Sequence, residues 1–466
     1  MISYFPQKIA NNGLLLYLLS LIVVSIAFMN YAMDIVWMVL GLVEVAMFFM
    51  LSNSLSRQWK VIPIQRYTMS VFWTAFGFRL VWVVFSYFFY TNQTGLPFEW
   101  GAADSLNYHY QAEWLADRPW ATAWDNLFVN SDGVSDSGYV LYLTLIYKIF
   151  GVNIFFARIL KAVWGGITCI LLYKLVARSI DENVGRMVGV MAALMPNLII
   201  YSGLHLKETE MLLLCVAFLE RADYVLRAQK IKFWDVVIPL LFAGSLFLFR
   251  TVLGVVTLFS FVTALVFSPS RTVKKGRKVV VVLWVILAII VLAGGTIMNE
   301  VESQWNERNT NQEQKRLEQT SRGNQWAKYA TGTVMAPMIF VLPFSTMVDT
   351  NQQNQFVMHG GNFVRNFMGI FAIIALINAL FIQKKWRDFS LIGSFIIGYL
   401  GAISLSGFSN SERFLLPGLP CLIVFWAYGI SVLNAKSYKF VRIWYVVVPV
   451  MEIAWAYFKI GSRGLL

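Results

Sequence analysis

The sequence predicts an all-α integral membrane protein of about thirteen transmembrane helices, with two outer-face segments that contain interfacial helices. Three observations carry this prediction. Of the 466 residues, 58% are hydrophobic and only 14% charged, and mean hydropathy is +0.62, more apolar surface than a soluble domain can keep from water. The apolar residues fall in runs long enough to cross about 30 Å of hydrocarbon. The net charge of +13 sits mostly in short loops between those runs, which suits orientation in a bilayer and anionic headgroups, not nucleic acid.

Taken in order, the runs lie near 13–29, 34–52, 69–90, 154–174, 187–202, 210–226, 234–249, 251–267, 280–297, 363–382, 388–406, 414–433 and 442–459. The first is followed at once by a second span and lacks a small-residue cleavage site, so it reads as an uncleaved span. Basic groups then fall in alternate loops: Arg57, Lys60 and Arg66; Lys174, Arg178 and Arg186; Arg227, Lys230 and Lys232; Arg271 to Lys278; Lys384, Lys385 and Arg387; Lys436, Lys439 and Arg442. By the positive-inside rule these loops are cytoplasmic, which puts the N-terminus inside and the C-terminus outside. The apolar stretches 138–150 and 334–348 would reverse that alternation if they spanned, and are expected as helices at the outer interface.

The chain divides into 1–68, two helices and a cytoplasmic loop; 69–297, a transmembrane module with a large outer loop at 91–153; 298–362, a second outer segment; and 363–466, the C-terminal helices. The first outer loop is acidic and rich in tryptophan (Trp100, Trp114, Trp120, Trp124), a mixture suited to a folded cap at the headgroups. Glu300 to Lys328 reads as a solvated amphipathic helix. The three cysteines, Cys169, Cys215 and Cys421, lie inside apolar runs and form neither a disulfide framework nor a zinc site.

Three polar clusters interrupt this apolar chain, all on the predicted outer side. In the first, Asp104 precedes Tyr108 and His109 by about one turn, so a carboxylate is placed to take a proton from a hydroxyl; a plain helix N-cap is the competing reading. In the second, Pro196 and Gly203 loosen the backbone before His205, Lys207, Glu208 and Glu210. Lysine is rare in short outer turns, and one beside a carboxylate there suits a phosphate. The third is Ser409 to Phe414, with Arg413 at the outer start of a span. Arg250, Arg158 and Lys161 add further cations at the same level. A ring of cations on one membrane face suits a lipid phosphate, although each alone also fits headgroup snorkelling. His109, His205 and His359, with Asp104 and Glu208, could ligate a divalent metal, but no ligand spacing recurs, so no cofactor is required and the favoured reading has no metal. Glu44 and Arg79 are mid-span charges at similar depth, expected to form a structural ion pair.

These residues, in this order, resemble the polytopic glycosyltransferases of the C superfamily, in the branch of protein O-mannosyltransferases and bacterial aminoarabinose transferases. Asp104, Tyr108 and Ala112 fit the family's first-loop pattern, with Ser105 where a second acid often stands. Tyr139 to Gly151 and Arg158-Ile159 fit its interfacial helix and span start. Pro196, Ser202-Gly203 and Lys207-Glu208 fit its next outer turn, and Arg413, Phe414, Pro417 and Pro420 a late motif. The likeness covers 69–270, and 405–430 more loosely; the two spans before the third have no counterpart in the minimal family module.

The resemblance implies a polyprenyl-phosphate sugar donor and inverting transfer to a hydroxyl of a lipid, glycan or protein acceptor at the outer face of a bacterial inner membrane. Asp104 would be the catalytic base. Lys207, Arg250 and Arg413 would hold phosphate, with Tyr108, His109, His205, Glu208, Arg158 and Lys161 completing the substrate site. Two other readings stay open. A polysaccharide polymerase or O-antigen ligase would rely on outer arginines, and a lipid-linked sugar flippase would show broken helices near the midplane.

Overall fold

The computed structural model describes residues 2–129, 134–230, 232–267, 338, 340–404 and 411–462. The expected span 280–297 and the helix over Glu300 to Lys328 lie outside these residues. Within them the protein is helical, with no strand and one isolated bridge, between Ala32 and Val348.

Of the other twelve expected spans, eleven fall on one continuous helix each and one is broken. In chain order the helices are α1 (Gln7–Ala27), α2 (Ile35–Gln58) and α3 (Ile64–Thr94), then α4 (Ala103–Ala116) and α5 (Ser137–Phe150) in the long loop after α3, and α6 (Ile154–Ser179). The next expected span is two pieces, α7 (Glu182–Leu194) and α8 (Pro196–Gly203), bent by 54°. There follow α9 (Glu208–Arg227), α10 (Phe233–Phe249), α11 (Thr251–Phe267), α12 (His359–Ile382), α13 (Ser390–Ser404), α14 (Glu412–Ser431) and α15 (Ala435–Gly461). Among the described residues seven helices are long and apolar enough to cross a membrane, or eight with the bent pair.

The break in the fifth span explains Arg79. Pro196 has no N–H for the carbonyl of Ala192, so the end of α7 keeps free acceptors. The Arg79 guanidinium, 1% exposed, donates to the carbonyls of Ala192 (3.2 Å) and Ala193 (3.1 Å). The expected Arg79–Glu44 ion pair is therefore absent. Glu44 instead accepts from the Gly361 N–H at 3.0 Å, at the start of α12, where a carboxylate meets the positive end of the helix. Two facing charges on neighbouring spans had suggested a pair; free backbone groups at a helix break and a helix start claimed each separately.

The stretch around 334–348 also departs from expectation. Met338 is in a 3-10 turn, while 340–348 is turn and irregular chain, not α-helix, and is buried from Val341 through Met347. Pro343 disfavours helix, and side chains from α12 supply what a helix would have supplied. Asn366 donates to the carbonyls of Val341 (2.7 Å) and Pro343 (2.9 Å) and accepts from the Ser345 N–H.

The packing places α14 at the centre. Of its apolar stretch 94% is buried inside the protein, against 28% for α3 and α15, whose open faces suit lipid. It packs on α12 and α7, while α3, α6, α7 and α9 form a second layer. Gly429 lets α14 approach the Phe371 carbonyl of α12 so closely that a Cβ would overlap it. The start of this central helix carries Glu412 and Arg413.

Candidate active site

One end of the bundle collects the C-terminal ends of α3, α8 and α15 and the N-terminal ends of α9, α12 and α14. Between them and the long loop after α3 lies a cavity of about 380 Å³. Its wall includes Asp104, Glu99, Arg413, Glu412, Asn362 and Lys459, with Trp100, Tyr201, Phe344 and Trp455 as apolar surface.

Asp104 stands in the first turn of α4, whose N-cap is Ala102 and makes no side-chain cap bond. Its carboxylate is thus not spent on its own helix. It accepts from Nη1 of Arg413, a partner 309 residues away. Arg413 is bidentate in a divided sense: its Nε donates to Glu208 at 2.5 Å, while Nη1 reaches Asp104. The Glu208 side chain is fully buried, and Arg250 approaches the same oxygen at 3.7 Å. Arg250 in turn donates to the Tyr399 hydroxyl (3.2 Å), which donates to the Phe414 carbonyl (2.6 Å), and its guanidinium lies over the Phe414 ring. The result is a charge relay of fixed geometry, Arg250–Glu208–Arg413–Asp104, with only its last two members on the cavity wall.

Lys207 stands behind this wall, 3% exposed. It donates to the Phe249 carbonyl at 2.6 Å and pairs with Asp136, which also accepts from the Tyr108 hydroxyl at 2.9 Å. Burial, followed by the charge of Arg250, pulls the Lys207 ammonium well below its ordinary range, against the opposing charges of Glu208 and Asp104. Tyr108 is pushed up to about 12, chiefly by burial, so it stays a neutral donor to Asp136.

The two loop histidines form a separate cluster. His109 Nδ1 meets the Tyr147 hydroxyl at 2.9 Å, and that hydroxyl meets His205 Nε2 at 3.3 Å. Burial lowers both imidazoles, His205 the more strongly, with Arg158, Lys161 and His109 adding to the effect. Arg158 donates to the Pro97 carbonyl and lies over Phe98; Lys161 donates to the Leu206 carbonyl and pairs with Glu210 at 3.4 Å. These two cations brace the loops that carry the site.

Of the residues singled out from sequence, Asp104 and Arg413 line the cavity, Glu208, Arg250, Lys207 and Tyr108 support it from behind, and His109, His205, Arg158 and Lys161 lie one layer further. Sequence reasoning gave no role to Glu99 in the acidic first loop or to Glu412 in the third polar cluster, and it missed Asn197 and Asn362. Glu99 accepts from the Ser105 hydroxyl at 2.6 Å and lines the cavity beside Asp104. A second acid is thus present in space although Ser105 occupies the adjacent position. Among the described residues no group of three or more His, Cys, Asp or Glu side chains is placed to hold a metal ion.

The described residues thus form a helical bundle of membrane-protein character with an acid–arginine centre in a polar chamber at one end. Residues 138–294 match the family model of dolichyl-phosphate-mannose-protein mannosyltransferases, a family of the glycosyltransferase C superfamily, over about a third of the chain. The similarity supports, at this coarse level, a membrane glycosyltransferase with a polyprenyl-phosphate sugar donor. No curated protein matches the chain.

Proposed function

We propose that the protein moves a sugar from a polyprenyl-phosphate donor to a hydroxyl of a glycolipid, glycan or protein acceptor, with inversion, on the outer face of a bacterial inner membrane. The observation that carries this reading is the Asp104–Arg413 pair at the cavity wall, held from behind by Glu208. Asp104 takes the proton of the acceptor hydroxyl as its oxygen bonds to the anomeric carbon. The bond from that carbon to the phosphate oxygen breaks, and the electron pair leaves with the lipid phosphate. Arg413 faces the charge that develops there, and a forked guanidinium suits two phosphate oxygens. Lys207 and Arg250 add positive potential from behind and keep Asp136 and Glu208 in place. The outer-face assignment rests on the alternation of basic loops, which puts this end of the bundle opposite Arg178, Arg227 and Lys385.

The test is incubation of purified protein with radiolabelled polyprenyl-phosphate sugars, with one polyprenyl-pyrophosphate glycan in the panel, scoring donor hydrolysis without acceptor. A monosaccharide-phosphate donor is expected to be cleaved, and Asp104→Asn to lower transfer about 10²–10⁴-fold while the protein still binds donor. Wild-type turnover by the Asn variant would refute the role of Asp104. Cleavage of the pyrophosphate glycan alone would favour a polymerase or ligase.

A further inference from the structure

Glu412 is one residue from Arg413, yet it takes no part in the ion-pair relay. Its carboxylate accepts from the Asn197 side-chain amide and from that of Asn362 at 3.3 Å, while Asn197 also donates to the Asn362 oxygen at 3.1 Å. The three residues come from α8, α14 and α12, so the network ties the broken span to the two central helices. Asn197 is 2% exposed and fixed by these bonds; Glu412 and Asn362 face the cavity. A carboxylate accepts at about four lone-pair positions, and two amides occupy two of them. The remainder are held ready on a rigid element, with Arg365, 2% exposed, one turn below Asn362 on α12.

The rest of the wall has the same bias toward acceptors. Glu99, Asn354 and Gln355 all line the cavity, and each has a buried acceptor oxygen with no partner among the described residues. Buried acceptors without donors are costly, so this wall favours a ligand bearing several donors. An anion would meet Glu99, Asp104 and Glu412 as well as Arg413 and Lys459. A polyol answers both demands: its hydroxyls donate to fixed carboxylate and amide oxygens, and its C–H face suits the Trp100 ring on the same wall. The volume of about 380 Å³ falls in the lower part of the range for small-ligand sites.

We propose that Glu412, set by Asn197 and Asn362, is the floor of a subsite that takes the sugar ring of the donor through its hydroxyl groups. This rests on the transferase reading above and adds a specificity residue to it. Consecutive helix positions place the two functions side by side: a sugar whose anomeric phosphate meets Arg413 presents ring hydroxyls to Glu412. Binding to this floor is thereby separable from binding to the phosphate.

The experiment compares two probes on the full-length protein in nanodiscs: polyprenyl phosphate, and the polyprenyl-phosphate hexose that wild type cleaves best. Binding is read by calorimetry, and folding of each variant by thermal unfolding. Wild type should bind the sugar-bearing lipid more tightly than the bare lipid. Glu412→Gln and Asn362→Ala should each weaken the sugar-bearing lipid by roughly tenfold or more, the loss expected for a hydrogen bond to a charged group, with the bare lipid unchanged. Glu412→Asp should recover part of the difference.

Equal weakening of both lipids would mean that Glu412 acts through Arg413 or the fold, and the proposal would fall. So would unchanged affinity for both, or equal wild-type affinity for the two lipids, in which case the phosphate site would survive. If wild type bound neither lipid, the donor reading itself would fail and take the subsite with it.

Discussion

Arg413 joins one buried and one exposed carboxylate, and that asymmetry yields a sharp prediction. Glu208 is fully buried, and Arg413→Gln would leave it with Arg250 at 3.7 Å as its remaining ion-pair partner. Removing one partner of a buried pair costs about 3–5 kcal/mol. Arg413 is 21% exposed and Arg250 stays near, so the expected loss is smaller, about 2–3 kcal/mol. The Asp104 side chain is 54% exposed, and its contact with Arg413 should contribute no more than about 1 kcal/mol to stability. Glu208→Gln should also destabilise, because it leaves two arginines facing a neutral amide. The double variant Arg413→Gln/Glu208→Gln, however, should be more stable than the sum of the single losses predicts, by about 2 kcal/mol, since neither charge is then left alone. Asp104→Asn should unfold close to wild type while losing transfer. The assay is thermal or denaturant unfolding in a fixed detergent, with transfer measured on the same preparations. Strict additivity of the two substitutions would refute the buried pair, and a large stability loss in Asp104→Asn would refute the division of roles.

Three further outcomes are expected. In a background lacking Cys169, Cys215 and Cys421, a cysteine replacing the exposed Asp117 should react with an impermeant thiol reagent from outside. One replacing the exposed Lys385 should react only after permeabilisation; labelling of position 385 from outside would require the later topology to be redrawn. Gly165→Ala should destabilise the protein by about 1–3 kcal/mol in thermal unfolding, because the new methyl lands on the Arg79 side chain and dislodges its bonds to the end of α7. A variant as stable as wild type would refute that close approach. Finally, His205 is held neutral in the fold, with its folded pKa below the ordinary 6.5. Above about pH 6.5 neither state binds the proton and its contribution is intact; as pH falls below that, the unfolded chain takes up the proton first and stability declines. Melting temperature should therefore drop between about pH 6.5 and 5, and His205→Gln should flatten that drop; an identical profile in the variant would refute it.

The sequence by itself determined the membrane class, the order of the helices and the set of polar residues worth attention. Hydropathy and charge alternation act along the chain, so runs such as 69–90 and 414–433 and the clusters at Asp104, Lys207-Glu208 and Glu412-Arg413 were legible without coordinates. The tertiary structure alone decided which charges meet. Helices in a bilayer are apolar on most faces, so periodicity does not reveal which span lies beside which. Hence Lys207, adjacent to Glu208 in sequence, turns to Asp136, while Arg413, 205 residues from Glu208, supplies its hydrogen bond. Arg79 finds carbonyls freed by a proline 117 positions further on rather than the acid expected for it, and the chain at 340–348 packs as buried, irregular backbone because Asn366 satisfies it. The cavity floor of Asn197, Asn362 and Glu412 is likewise assembled from three distant segments: the two asparagines are unremarkable along the chain, and only lateral packing joins them to Glu412 as one site.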